Sequence, residues 1–322
     1  MRVKLFIFLL SLSLSSEAEW FFYSTTSMTT NVELEFWLEN KADAISLSRQ
    51  VFEEFERIDA SMSRHKPNSA LSKLNKRAAD VPVSVSSELF NVLAKSKEVS
   101  WLSGGSFDMT FASVGYLYDF RHSLQPGHKE LAQRVAMVDY RHVILDDVAK
   151  TVSYKKQGIV VDLGGIAKGY AVDLGIALLK KHGVKSARLS AGGDMRLLGD
   201  KQGKPWIVGI KHPRIPDKQK VALPLDNIAI STSGDYERFF IDEKGERIHH
   251  ILSPKTGRPV NGIQSVSVIG PEAIMTDGLS TALFVLGVEK GIALIDTFEY
   301  FDVVMIDADG KVHFSNGLLA AK

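Results

Sequence analysis

Several segments between Asp162 and Thr281 combine glycine with oxygen-bearing side chains in a way that suits a phosphorylated ligand. The run Val160-Val161-Asp162-Leu163-Gly164-Gly165-Ile166-Ala167-Lys168-Gly169-Tyr170-Ala171-Val172-Asp173 passes from an apolar strand through a glycine pair into a helix. Glycines let the backbone approach a ligand closely, and a helix start offers free N–H groups to an anion. Phosphate or pyrophosphate is the natural guest. The run is not a Walker loop, because Tyr170 follows Gly169, and it lacks the G-x-G-x-x-G order of a dinucleotide fingerprint. The same residues would also make an ordinary tight strand–helix turn.

A second glycine pair, Gly192-Gly193, lies in Ser190-Ala191-Gly192-Gly193-Asp194, where small residues leave room for a flat ligand on the backbone. The eight residues from Ser231 to Arg238 carry hydroxyls, a glycine, two acids and a base. They suit a loop around a ribose or phosphate, or a polar turn with a capping role. His249 and His250 sit at a strand end beside Ser253-Pro254-Lys255-Thr256-Gly257-Arg258-Pro259. Adjacent residues of a strand face opposite ways, so at most one of the two imidazoles serves a site as acid, base or donor. Asp277 and Thr281 are four residues apart on an expected helix and share one face. A carboxylate with a hydroxyl, completed by a backbone carbonyl, phosphates and water, is hard-oxygen ligation suited to Mg²⁺. Asp277 would alternatively cap the helix start.

The elements that must position these groups follow from periodicity. Val32 to Leu38 alternates as a half-buried strand, and Ala42 to about Met62 places Ile45, Val51, Phe52, Phe55 and Ile58 at helical spacing. Pro67-Asn68-Ser69 caps a short helix with Leu71 and Leu74. Val81 to Val85 is extended, and Ser86 or Ser87 starts a helix that Gly104-Gly105 ends. Strands are expected at 143–145, 151–154, 159–162, 187–190, 206–210 and 265–269, helices at 166–182 and 272–286, and hairpins pairing 239–241 with 247–249 and 303–306 with 312–314. Helices mix with antiparallel strands without a βαβ rhythm, which predicts an α+β fold.

Bulk properties narrow the function. Of the 322 residues 45% are hydrophobic and 24% charged, and the formal net charge is +1, so no global field points to nucleic acid or an anionic membrane. Arg2 and Lys4 precede an apolar run from Leu5 to Leu14 and then Ser15-Ser16-Glu17-Ala18, the pattern of a secretory signal peptide cleaved after Ala18. Residues 19–322 would form the mature domain, with 37 basic and 37 acidic side chains. There are no cysteines, which excludes disulfides, thiolate metal sites and a lipidated N-terminal Cys. The expectation is an exported, soluble protein beyond the inner membrane, such as the periplasm.

Taken together, Asp162 to Gly169, Ala191-Gly192-Gly193, Ser231 to Tyr236, His250 to Pro254 with Thr256-Gly257, and Asp277 to Ala282 resemble the ApbE family of FAD:protein FMN transferases in order and spacing. Met28-Thr29-Thr30 resembles the family's Met-Gly-Thr start. Met62-Ser63, Ser69 to Ser72 and Asn75 resemble its flavin-side loop, and Gly105-Ser106-Phe107-Asp108 a further shared stretch. The chain departs from the family pattern at Thr29, at His65 near where many members place a Tyr, and at Ser253. The resemblance implies two T-fold-like α+β halves with FAD between them. It also implies Mg²⁺-dependent transfer of FMN from FAD to a Ser or Thr hydroxyl of an acceptor protein, an exported or membrane-associated redox protein, with release of AMP. Hydrolysis of FAD to FMN and AMP, or flavin binding without turnover, are the alternatives. By the same resemblance Asp277, Thr281 and the Ala167 carbonyl hold the metal, and His250 is the general base. Met28, Ser63, Asn75, Asp108, Gly164, Gly165, Lys168, Asp173, Gly192, Gly193, Ser233, Asp235 and Thr256 line the FAD.

Overall fold

A computed structural model describes residues 18–320, so all but the last residue of the expected signal peptide lies outside the described residues. Strands β1 (Glu19–Ser27) and β2 (Thr30–Leu38) are followed by α1 (Lys41–Met62), α2 (Ala70–Arg77), β3 (Val83–Ser84) and α3 (Ser87–Leu102). Helices α4 (Ala112–Gly115) and α5 (His128–Val135) and strands β4 (Val143–Asp146) and β5 (Thr151–Tyr154) lead to α6 (Ala167–Lys181). Then come β6 (Ala187–Ala191), β7 (Asp194–Leu198), β8 (Trp206–Lys211), β9 (Gln219–Leu225) and β10 (Ala229–Gly234). The hairpin β11 (Phe239–Ile241) and β12 (Arg247–His249) precedes β13 (Ile263–Gly270), α7 (Ala273–Leu286) and α8 (Val288–Ile295). Strands β14 (Asp302–Asp307) and β15 (Val312–Phe314) and helix α9 (Asn316–Ala320) finish the described chain. This is the α+β fold that the sequence predicts.

One eight-stranded sheet organises the molecule, in the order β1-β2-β6-β7-β10-β13-β14-β15, antiparallel throughout. It divides into two blocks of the same plan. In each, two strands are followed by helices and then by two more strands: β1-β2 and β6-β7 in the first, β10-β13 and β14-β15 in the second. The blocks meet at the β7–β10 ladder, which registers only three residue pairs, against nine between β1 and β2.

Helices α1, α6 and α7 cover one face of the sheet. The stripe that α1 turns inward is Ala44, Leu47, Ser48, Val51, Phe55, Ile58 and Met62. Full burial of side chains such as Val51, Phe55 and Ile58 contributes about 1.5–3 kcal/mol each. Ile45 is 44% exposed, contrary to its helical-face assignment, because it lies one residue off that stripe. The β8–β9 hairpin covers the other face through Trp206, Val208 and Ile210. β13, sandwiched between α7 and this cover, is buried at all eight residues. A smaller cluster of Val114, Tyr118, Leu131, Phe240, Ile248 and Leu252 joins the β11–β12 hairpin to α4 and α5.

Two other expectations need correcting. Residues 159–162 are extended but belong to no ladder; their N–H groups go to Ser113 Oγ at 2.9 Å, Asn75 Oδ1 at 2.9 Å and the Met109 carbonyl at 2.8 Å. Of the Ser231 to Arg238 segment expected as a loop, Ser231 to Gly234 are the end of β10, paired with β13 throughout and with β7 at Ser231. No helix among the described residues is long and apolar enough to cross a membrane.

Candidate active site

The close approach of α6 to α7 builds the site. A Cβ on Gly169 would lie 2.1 Å from the Ala273 carbonyl oxygen, so only glycine lets the two helices meet there. Asp173, one turn further along α6, accepts the Ala273 and Ile274 N–H groups at 3.0 and 2.9 Å and also pairs with Arg196. It is therefore the cap of α7: both oxygens, expected beside FAD, accept N–H groups of the helix start, where a carboxylate complements the dipole. Asp277, one turn inside α7, is buried rather than a cap, and its Oδ2 accepts the Gly169 N–H at 3.1 Å.

Lys168 Nζ stands among three oxygen groups: Asp194 Oδ2 at 2.8 Å, the Asp277 carboxylate at 3.3 and 3.4 Å, and the Gly164 carbonyl at 3.3 Å. Burial disfavours the Lys168 charge, but the two carboxylates outweigh it and hold the ammonium above its ordinary range. Burial raises the Asp277 carboxyl, and the Asp194 charge raises it further, against the pull of Lys168 and the Gly169 N–H. Two carboxylates sharing one ammonium leave one negative charge uncompensated. Thr281 Oγ1 lies 3.3 Å from Ser233 Oγ, which is 2.8 Å from Ser280 Oγ, and a Cβ on Gly165 would lie 3.6 Å from Thr281 Oγ1. Excess negative charge beside hydroxyl and carbonyl oxygens is a donor set that fits a hard divalent cation. Among the described residues there is no cluster of three or more His, Cys, Asp or Glu, so any such ion would rely on a hydroxyl, carbonyls and the ligand itself.

Ala167, whose carbonyl is the expected third metal ligand, is the first residue of α6, and a carbonyl there keeps a second lone pair beside its helical hydrogen bond; Gly165 in the preceding turn is a backbone neighbour of Thr281. Gly164 lies in the same turn, exposed. Gly192 and Gly193 form the β6–β7 turn, with Gly192 at φ +62°; a Cβ there would lie 2.7 Å from Thr30 Oγ1, and one on Gly193 2.4 Å from the Thr232 carbonyl. Asp194, the residue after this turn, was not singled out from sequence, although an acid directly after a glycine pair at a strand end was the available signal.

His249 and His250 face opposite ways. His249 is buried, with Nε2 2.8 Å from the Val260 carbonyl and its ring edge-on to Phe284. His250 has Nδ1 3.4 Å from the Arg238 carbonyl, which makes Nδ1 the protonated nitrogen and leaves the Nε2 lone pair free. Burial first, then the Arg238 and His249 charges and, more weakly, Lys168, push the His250 pKa down to about 4. The ring is neutral at pH 7. Arg238 also donates to Thr29 Oγ1 at 2.9 Å, tying the β1–β2 turn to this edge; Met28 and Thr29 both adopt left-handed backbone there, at φ 50° and 62°.

Five further residues expected to line FAD have protein partners or positions of their own. Asn75 brackets Val161, accepting its N–H at 2.9 Å and donating to its carbonyl at 2.8 Å, and also accepts the Tyr154 hydroxyl; this supports the strand end before Asp162 and leaves one Nδ2 hydrogen for a ligand. Asp108 is buried and spent on Thr110 and the Tyr140 N–H. Asp235 is held bidentately by Arg214 at 2.6 and 2.7 Å. Thr256 is an exposed turn residue. Ser63 is the C-cap of α1, donating its N–H to Asp59. Asp162, paired with Arg64, flanks the Gly164-Gly165 turn. A cavity of about 710 Å³ lies beside Met28, with Glu53, Glu56, Arg57, Asp59 and Lys66 on its wall; Asp277, Thr281 and the glycine turns do not line it.

Comparison with known proteins agrees with this geometry. The ApbE family model matches residues 28–305. An FAD:protein FMN transferase of Vibrio cholerae is 31% identical over 276 residues, covering 83% of this chain and 81% of the relative. One of Treponema pallidum is 32% identical over 296 residues, covering 86% and 82%. The solved ApbE protein of Thermotoga maritima superposes with a TM-score of 0.86 at 29% identity, over 94% of this chain and 98% of that one. The flavin transferase ApbE of Vibrio cholerae does so with 0.85 at 29% identity, over 94% and 99%. The chain belongs to the ApbE family.

Proposed function

We propose that this protein transfers the FMN part of FAD to a Ser or Thr hydroxyl of an exported acceptor protein, releasing AMP, with Mg²⁺ at Asp277 and Thr281. The observation that carries the reading is the Asp194–Lys168–Asp277 cluster beside Thr281 and the Gly164-Gly165 turn, which supplies a cation site and a close backbone seat for a diphosphate. Mg²⁺ when bound would neutralise phosphate charge and polarise the phosphoryl oxygens. Asp277 and Thr281 would supply its oxygen ligands, together with the Ala167 carbonyl. Lys168 contributes fixed positive charge next to the phosphates, and Asp194 holds that ammonium in place.

His250 Nε2 accepts the proton of the acceptor hydroxyl. The hydroxyl oxygen bonds to the FMN phosphorus while the bridging P–O bond breaks and AMP leaves with the bridging oxygen. Positioning and electrostatics supply most of the acceleration in such a transfer. Residues 1–18 would direct the chain across the inner membrane before the reaction.

Purified protein with FAD, Mg²⁺ and a candidate acceptor should give an acceptor heavier by one FMN and fluorescent in a denaturing gel. An acceptor that stays unlabelled while FAD disappears would favour FAD hydrolysis instead. FAD bound but intact, with no labelling, would favour flavin binding without turnover.

A further inference from the structure

The β1–β2 hairpin closes on two residues, because Ser27 pairs with Thr30 and leaves Met28 and Thr29 as the turn. Both lie at positive φ, 50° and 62°, as the central residues of a type I′ turn do. Glycine suits the second position, and a β-branched residue there is strained. Thr29 occupies it nonetheless, and its hydroxyl is held from the second block of the sheet: Arg238 Nη2 donates to Thr29 Oγ1 at 2.9 Å. Among the described residues Arg238 has no carboxylate partner, and Thr29 is the hydrogen-bond acceptor of its side chain.

Arg238 is also the cross-strand neighbour of His250. The β11–β12 ladder pairs Phe239 with His249, and one step further out the His250 N–H donates to the Arg238 carbonyl at 3.1 Å. Directly opposed residues put their side chains on one face, with Cβ atoms about 5 Å apart. The Arg238 side chain therefore leaves the backbone on the same face as the imidazole, and Thr29 sets where its charge comes to rest. Of the charges that act on His250, Arg238 comes first, ahead of His249 on β12 and Lys168 on α6.

We propose that Thr29 is a positioning residue: by accepting Arg238 it latches the β1–β2 turn to the strand pair that carries His250 and keeps the guanidinium beside the imidazole. Glycine would relax the turn but supply no hydroxyl. With the cation held in place, His250 stays neutral into acid; with the cation free, the ring takes up a proton sooner as pH falls. The consequence for FMN transfer rests on the proposed function, because it needs His250 as the general base. The consequence for the imidazole does not.

A double-mutant cycle read by NMR titration of His250 tests the latch without turnover. Thr29→Gly, which relieves the turn, should fold and should move the His250 midpoint up from about 4 to about 4.5–5, and Arg238→Gln should move it at least as far. Thr29→Ser, which keeps the hydroxyl, should leave the midpoint in place. In the Arg238→Gln background, Thr29→Gly should add nothing. A midpoint unmoved in Thr29→Gly, an equal shift in Thr29→Ser, or the same Thr29→Gly shift without Arg238 overturns the proposal. Should Arg238→Gln not fold, the contrast between Thr29→Gly and Thr29→Ser decides alone. The acid limb of the FMN-transfer rate, measured on the same proteins, separates the latch from the reading on which its catalytic effect rests. A limb that moves up with the midpoint supports both. A midpoint that moves while the limb stays put supports the latch and rejects His250 as the base.

Discussion

Gly169→Ala tests whether the α6–α7 contact positions the chemistry. On helix propensity alone the change would stabilise α6 by about 1 kcal/mol. Sterically it places a Cβ 2.1 Å from the Ala273 carbonyl oxygen, 2.6 Å from its carbon and 2.9 Å from Asp277 Cβ. Restoring an ordinary 3.4 Å contact requires the helices to separate by about 1.3 Å, and the obstacle is backbone, which cannot rotate away. Overpacking costs about 1–3 kcal/mol, so after the propensity gain the net loss is about 0–2 kcal/mol. The separation also stretches the Gly169 N–H to Asp277 bond, 3.1 Å in the native contact, and the two Asp173 caps on α7. A displacement near 1 Å at a reacting centre costs about 100-fold in rate. Denaturant unfolding and FMN transfer, measured side by side, give the answer. Gly127→Ala, where a Cβ meets nothing within 4 Å and φ is −69°, is the control: it should leave FMN transfer unchanged and cost only about 0.5–1 kcal/mol as the N-cap of α5. A Gly169→Ala protein that is more stable than its parent and transfers FMN at the same rate would refute the reasoning.

Asp277→Asn should fold, since it removes a buried charge, but FMN transfer should fall by about 100-fold or more; EDTA should lower the parent in the same way and leave the variant's residual rate unmoved. Asp173→Ala should cost about 1–2 kcal/mol from the lost helix cap, seen as a lower unfolding midpoint. His250 should titrate by NMR near pH 4 rather than 6.5, because burial and the Arg238 charge oppose its protonation. The unfolded chain then binds more protons than the native one between those values, so stability falls as pH drops from about 6.5 toward 4, and His250→Asn should flatten that slope. Cleavage of the proposed signal segment after Ala18 should give a protein with the mass of a chain beginning at Glu19; a mature mass that retains residues 1–18 would count against it.

Most of the helices and the hairpins were legible because their apolar residues repeat with a clean period and their ends carry clear signals, as with Ser69 and Ser86, whose side chains cap α2 and α3. β1 was not expected: Trp20, Phe21, Phe22 and Tyr23 are four aromatics in a row, which masks the alternation of a strand half-covered on each side. β9 was missed too, being an exposed ribbon edge with Pro224 in it. At the site, Asp277, Thr281 and the glycine pairs each allow a plain structural reading taken alone; their shared order with the ApbE family, which also brings in Lys168, is what sets them apart. Asp173 and Asn75 could not be told apart from ligand residues, since a carboxylate that caps a neighbouring helix and an amide that brackets a backbone look the same in sequence as groups awaiting a substrate. The partners, Ala273 and Val161, lie about 100 and 86 residues away. Asp194 and Arg238 belong to the same class: their importance comes from what the fold brings beside them.

The three-pair seam between β7 and β10 gives the candidate site a mechanical role. Lys168 and Asp194 come from one side of that seam, and Asp277, Thr281 and Ser233 from the other. A diphosphate with its cation would therefore bridge the two blocks where the backbone joins them least, acting as a clasp. Backbone amides of β7 and β10 would exchange with solvent more slowly in the loaded protein than in the empty one, while those of β1 and β2, far along the sheet, would not change.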